Sequence, residues 1–178
     1  MAHFRDSLSV FRSQTASEYA SALFREAFGS KFPIPVVYNI RNTIIPPEAW
    51  HQYVALYSWD DGTVECVGFC NWMKYKDVYL EGGMAVQNRF YRRLDKSKFA
   101  ECAAQGGIAQ IMMETAAKEL VDCVAWFGHC GDKRALKVDL RAGYEQIDDP
   151  HLIVKWMQEI DETTKRAWIE EIKQIGPF

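Results

Sequence analysis

The spacing of apolar residues changes several times along the chain, and each change predicts an element. Between Thr15 and Phe28, the residues Tyr19, Leu23, Phe24, Ala27 and Phe28 recur at helical intervals. They predict a helix with one buried face, opened by a capping box of Thr15 and Glu18 and stopped at Gly29. From Lys31 to Trp50 the pattern is broken by Pro33, Pro35, Pro46 and Pro47. That stretch leaves a short strand-like run, Val36 to Ile40, and a proline start at Pro47 for a short helix through Ala49 and His51.

The centre follows strand spacing. Gln52 to Trp59 and Val64 to Met73 read as two strands joined by Asp60-Asp61-Gly62-Thr63, where the glycine supplies the positive φ of the turn. A second turn at Lys74 to Asp77 leads into a third strand, Val78 to Val86, which completes an antiparallel meander. Gly82 and Gly83 lie inside this strand and mark a bulge or the close approach of a ligand.

Helical spacing returns over Gly106 to Leu120, with Ile108, Ile111, Met112, Thr115 and Ala116 on one face. Ser97 and the Gly106-Gly107 pair are the candidate starts of that helix. Cys123 to Phe127 is an unbroken apolar run, the pattern of a fully buried strand. A helix over Asp132 to Arg141 stops at Gly143, His151 to Met157 is a further strand, and an amphipathic helix spans about 162–174, its apolar face carrying Trp168, Ile172 and Ile175.

A strand, a helix and a buried strand in succession imply a parallel pair joined by a right-handed crossover. The expected architecture is therefore α/β, with a mixed, mostly antiparallel central sheet and helices on both faces, as a single domain over 1–178.

Composition narrows the setting. With 178 residues and 48% of them hydrophobic, the chain is long enough for one sizeable core. A formal net charge of −3 gives no global reason to expect nucleic acid or an anionic membrane as partner. No apolar run reaches the roughly 18 residues of a membrane span, and no secretory signal is seen, so the expected location is cytoplasmic. Of the five cysteines, Cys66 and Cys70 lie in a strand-like run without a turn between them. Together with His129 and Cys130 they lack the knuckle of a zinc site, so no metal is expected.

The chemistry concentrates where the glycine-bearing third strand precedes a helix opened by Gly106-Gly107. Such a helix start presents unpaired amides to an anion. Here the chain resembles the GNAT superfamily of acyl-coenzyme A transferases, over about Gln52 to Met157. In Ala104-Gln105-Gly106-Gly107-Ile108-Ala109, Gly107 and Ala109 match the glycine and glycine-or-alanine positions of that family's pyrophosphate loop. Asp132 through Gly143-Tyr144 is similar to its late helix.

The resemblance implies an acyltransferase that uses acetyl-coenzyme A. The backbone of Met84, Ala85 and Val86 would pair with the pantetheine arm, and the amides of Gln105, Gly106, Gly107, Ile108 and Ala109 would hold the pyrophosphate. Glu81 stands where several members carry a general base, and Tyr144 or Asp139 would supply the acid. The sequence departs from the family at Ala104, where Gln or Arg is usual, and at Asp139, where a tyrosine is frequent. Its segment between Val86 and Gly107 is also much longer than usual. The acceptor is an amine the sequence leaves unspecified. The basic stretch 89–98 leaves open a lid, a coenzyme phosphate contact or a nucleic-acid grip, with Phe90 and Tyr91 available for stacking. The alternatives are a non-catalytic GNAT-like binding or structural module and a transferase acting on a nucleic-acid base, and exposed sheet edges leave room for a homodimer.

Overall fold

The computed structural model describes residues 3–29, 39–40, 43–44, 50–175 and 178. Most of the predicted run from Val36 to Ile40 and the Pro47 helix start lie outside the described residues. Within them, Asn39–Ile40 (β2) pairs with Thr43–Ile44 (β3), and His51 belongs to a strand rather than a helix.

A short 3-10 turn at Phe4–Ser7 leads into β1 (Leu8–Arg12), and α1 spans Ala16–Phe28. The meander is β4 (Trp50–Ser58), β5 (Val64–Tyr75) and β6 (Val78–Val86). The helices α2 (Phe90–Arg93), α3 (Lys96–Ala104) and α4 (Gly107–Glu119) follow. The chain then forms β7 (Ala125–His129), α5 (Lys133–Arg141), β8 (Glu145–Gln146), β9 (Leu152–Trp156) and α6 (Glu162–Lys173). One mixed, mostly antiparallel sheet of seven strands results, ordered β1-β4-β5-β6-β7-β9-β8. Among the described residues, no helix is long and apolar enough to cross a membrane.

The chain forms two compact units. The first takes in the described parts of Met1–Ile34, Gln52–Cys70 and Met84–Glu119, and the second those of Pro35–His51, Asn71–Gly83 and Leu120–Phe178.

In the first unit, β1 runs antiparallel to β4, from Leu8 opposite Tyr57 to Arg12 opposite Tyr53. Ala16, Ala20, Leu23 and Phe24 of α1 cluster with Val54, Phe69 and Ala85. The buried stripe therefore differs from the one predicted. Small alanines let the helix approach the sheet, while Tyr19 turns outward, 42% exposed, and meets Phe11 edge-on. Ala27 is exposed as well. The predicted capping box does not form: the Thr15 side chain makes no cap bond, and its carbonyl accepts from Glu18 N at 2.9 Å.

Helix α4 covers the other face. A Cβ on Gly68 would stand 2.5 Å from Met112 Sδ and 2.8 Å from Ile108 Cγ2, so this strand position must be bare for α4 to pack closely. Side chains alternate across a strand. Gly68 and Phe69 thus face opposite ways, which sets α4 and α1 on opposite faces.

The long segment before α4 is two helices rather than a loop. Asp95 caps α3, its Oδ1 accepting from Lys98 N at 2.9 Å. Phe90 is fully buried against Phe4, Tyr57 and Trp59. Two of the basic side chains are engaged locally, Arg93 with Glu65 and over the Trp59 ring, and Lys98 with Asp60 at 2.7 Å. Arg89, Arg92 and Lys96 stay exposed.

In the second unit, β6 and β7 form the predicted parallel pair, from Val78 opposite Ala125 to Glu81 opposite Gly128. Strand β9 runs antiparallel to β7 and to β8. Val78, Leu80, Ala125, Phe127, Leu152 and Val154 form the core with Ile172 of α6, and Trp168 and Ile175 pack against it. Asp161 caps α6 by accepting from Thr163 N and Thr164 N. Strand β8 carries two exposed polar residues, a pattern with no apolar alternation to reveal it.

Candidate active site

Strand β6 sends Val78 and Leu80 into the core shared with α6, so Tyr79 and Glu81 face the other way. On that side lies α5. Its N-terminus is fixed by Asp132, whose Oδ1 accepts from Arg134 N at 2.8 Å and Ala135 N at 2.9 Å. Its end is turned by Gly143, at φ 97°, a conformation that favours glycine. Tyr144 N then donates to Asp139 O at 3.0 Å, and this tight exit aims the phenol inward.

Three predicted residues meet here. Tyr144 Oη donates to Glu81 Oε2 at 2.9 Å. Tyr144 is 4% exposed and packs against Trp126, whose ring lies 5.3 Å from that of Trp72. Asp139, 6% exposed, faces the same cluster from α5, near Cys130, whose thiol donates to Asp132 O at 3.4 Å.

The electrostatics follow from crowding acids into apolar surroundings. Burial, and then the charge of Asp139, holds the Glu81 carboxyl well above the usual carboxylate range, and the Tyr144 hydroxyl offsets part of that rise. Asp139 is raised by burial, against the opposing hydrogen bond of Cys130. Burial and the neighbouring Glu81 push the Tyr144 phenol far above its ordinary value. Burial and Asp139 likewise push the Cys130 thiol up to about 12, which makes it a hydrogen-bond donor and a poor nucleophile. Each carboxyl is thus held to its proton more firmly than an exposed one.

Two further residues shape the cluster. Gly128 faces Glu81 across the ladder, and a Cβ there would meet Glu81 Oε2 at 3.4 Å and Ile153 Cγ1 at 3.2 Å. A lone glycine in an otherwise apolar strand was the legible sign of that close approach. Cys130 gave no such sign, because its nearness to Asp139 depends on how α5 packs. On β6, Gly83 has φ 117° with open space where a side chain would stand. The space beside Gly82 is filled by Asn71 and Met73. His129, at the end of β7, meets Phe178 edge-on at 4.6 Å, and burial lowers its pKa.

The predicted pyrophosphate loop lies in the first unit. Gly106 and Gly107 have φ 82° and 88°, so two successive left-handed residues carry the chain from α3 into α4. Ala104 is the last residue of α3, and the Gln105 side chain turns back onto that helix. Its Nε2 donates to Glu101 O at 3.1 Å, and its Oε1 accepts from Arg5. Among the helix-opening amides, Ile108 N donates to Tyr91 Oη at 3.1 Å. Met84, Ala85 and Val86 end β6, with Ala85 buried. Among the described residues, no group of His, Cys, Asp and Glu is placed to hold a metal ion.

No family model and no curated protein matches this sequence. Solved structures do match its backbone. The ribosomal-protein-S18-alanine N-acetyltransferase from Escherichia coli aligns with a TM-score of 0.56 at 10% identity, over 87% of this chain and 97% of that one. A GNAT-family protein from Bacteroides thetaiotaomicron aligns with a TM-score of 0.53 at 15% identity, over 93% and 94% of the two chains. Tetrahymena GCN5 aligns with a TM-score of 0.50 at 10% identity, over 87% and 98%. The chain therefore has the GNAT acyltransferase fold, carried by a divergent sequence.

Proposed function

We propose that this GNAT-fold chain is an acyl-coenzyme A dependent N-acyltransferase, with acetyl-coenzyme A as the donor and an amine as the acceptor. The observation that carries this reading is the buried Glu81–Tyr144 pair beside Asp139, a carboxyl whose proton affinity is raised toward that of a base working near neutral pH.

The residues present fit the coenzyme. Gly106 and Gly107 leave the start of α4 bare of side chains, and the end of β6 offers backbone at Met84, Ala85 and Val86. Gly107, Ile108 and Ala109 would hold the pyrophosphate through their amides, because those of Gln105 and Gly106 donate to Cys102 O at 3.1 Å and Ala103 O at 2.9 Å. The bound coenzyme supplies an activated thioester carbonyl.

Glu81 takes a proton from the acceptor amine as its nitrogen bonds to the acyl carbon. Tyr144 orients the Glu81 carboxylate through its hydroxyl. Tyr144, hydrogen-bonded to Glu81, or Asp139 beside it supplies the proton to the departing thiolate. A backbone amide of the strand stabilises the developing oxyanion.

Calorimetry with acetyl-coenzyme A and free coenzyme A, followed by thiol release with a panel of amines, tests the assignment. Micromolar binding with amine-dependent thiol release is expected. Binding without release from any amine would reassign the chain to a non-catalytic module, and no binding would remove the coenzyme from the reading.

A further inference from the structure

The start of α4 is already in use. Ile108 N, one of the amides assigned above to the pyrophosphate, donates to Tyr91 Oη at 3.1 Å. Gly107 makes that approach possible: a Cβ on it would stand 3.0 Å from Tyr91 Oη and 3.7 Å from Cζ. Tyr91 also has a fixed origin. It follows Phe90, which is fully buried and anchors α2 against Phe4, Tyr57 and Trp59, and the two rings meet at 5.3 Å. An anchored residue thus delivers a phenol oxygen to the place where a phosphate oxygen would bind. One N–H cannot point at two oxygens with good geometry.

We propose that Tyr91 is a self-capping latch on the coenzyme site, holding the Ile108 amide with its own hydroxyl until the coenzyme's pyrophosphate displaces it. This rests on the reading of the chain as a coenzyme A binder. The latch gives the Ile108 amide, one of the donors that a helix start leaves without an intrahelical partner, an acceptor in the free protein. It also has a direction. A phosphate oxygen is charged and forms the stronger bond to an amide, so it wins the exchange, but at the cost of breaking the Tyr91 contact. Coenzyme affinity is set lower than the bare helix start would give, and ligands without a pyrophosphate group leave the latch closed.

The test is Tyr91→Phe, which keeps the ring and removes the oxygen. Acetyl-coenzyme A, and inorganic pyrophosphate as a minimal competitor, are titrated into both proteins by calorimetry. The amide signal of Ile108 is followed by nitrogen-15 NMR. The variant is expected to bind acetyl-coenzyme A about fivefold more tightly, the fold-change equivalent to one neutral hydrogen bond. In the unmodified protein the Ile108 amide should shift on binding, as its acceptor changes from phenol to phosphate. Equal or weaker binding by the variant, with the unmodified protein still binding, overturns the latch and leaves the coenzyme reading intact. Failure of both proteins to bind overturns the latch together with that reading.

Discussion

Glu81 and Gly128 stand opposite each other across the parallel ladder of β6 and β7, and a Cβ on Gly128 would lie 3.4 Å from Glu81 Oε2. The carboxyl thus occupies space on its own strand's face that a neighbouring side chain would otherwise share. Gly128→Ala is expected to cost about 1–2 kcal/mol of stability. By turning the carboxylate, it should also lower turnover about tenfold with little change in coenzyme KM. Thermal melts and steady-state kinetics check the two effects separately.

Glu81→Gln should leave coenzyme binding intact and lower turnover about 100-fold or more, the usual worth of a positioned base. The same residue sets a pH signature in stability. Its pKa is raised in the folded state, so the folded protein binds more protons than the unfolded one above roughly pH 5. Stability contributed at this site is then fully present below the unfolded pKa and is lost as pH rises through the folded pKa. Melting temperatures of the unmodified protein should fall across that window, and those of Glu81→Gln should fall less.

Tyr144→Phe removes the hydroxyl that favours the ionised form of Glu81. The Glu81 carboxyl should therefore rise further, moving the ascending limb of the rate–pH profile to higher pH, with turnover recovering on the alkaline side. A merely structural role would lower the rate at every pH and leave the limb in place. Loss of this single hydrogen bond should cost about 1 kcal/mol of stability.

Gly107→Ala meets two obstacles, the left-handed φ of 88° and the crowding against Tyr91 at 3.0 Å. Gly62→Ala meets only the first, because nothing lies within 4 Å of its would-be Cβ at φ 83°. The Gly62 variant should cost about 1–2 kcal/mol and the Gly107 variant more, with weakened coenzyme binding confined to the latter. Denaturant melts of the two, read side by side, separate strain from crowding.

What the sequence revealed, and what it hid, follows from the range of each signal. The meander, the parallel pair and the helix stops at Gly29 and Gly143 depend on neighbouring residues, and spacing exposes them. The α1 stripe was misplaced because helical periodicity does not say whether Ala16 and Ala20 or Tyr19 turns inward. That depends on how closely Val54 and Phe69 approach. Helix α3 was obscured by its basic residues, although Asp95 offered a cap. Glu81, Tyr144 and Asp139 were each singled out, but their convergence is a property of topology. Gly128 and Cys130 join them through pairings that no local pattern records.

The first turn of the chain has a bearing on how the protein is handled at the bench. Arg5 holds Gln105, and Phe4 N donates to Glu101 at 2.8 Å, so both ends of α3's last turn are clipped to the segment Phe4–Ser7. That segment acts as a brace for the glycine pair that follows Gln105. A fusion tag or trimming at residues 3–7 would therefore loosen the proposed phosphate loop without altering any residue in it. Coenzyme affinities measured on differently tagged preparations would then report the state of the brace as well as the site.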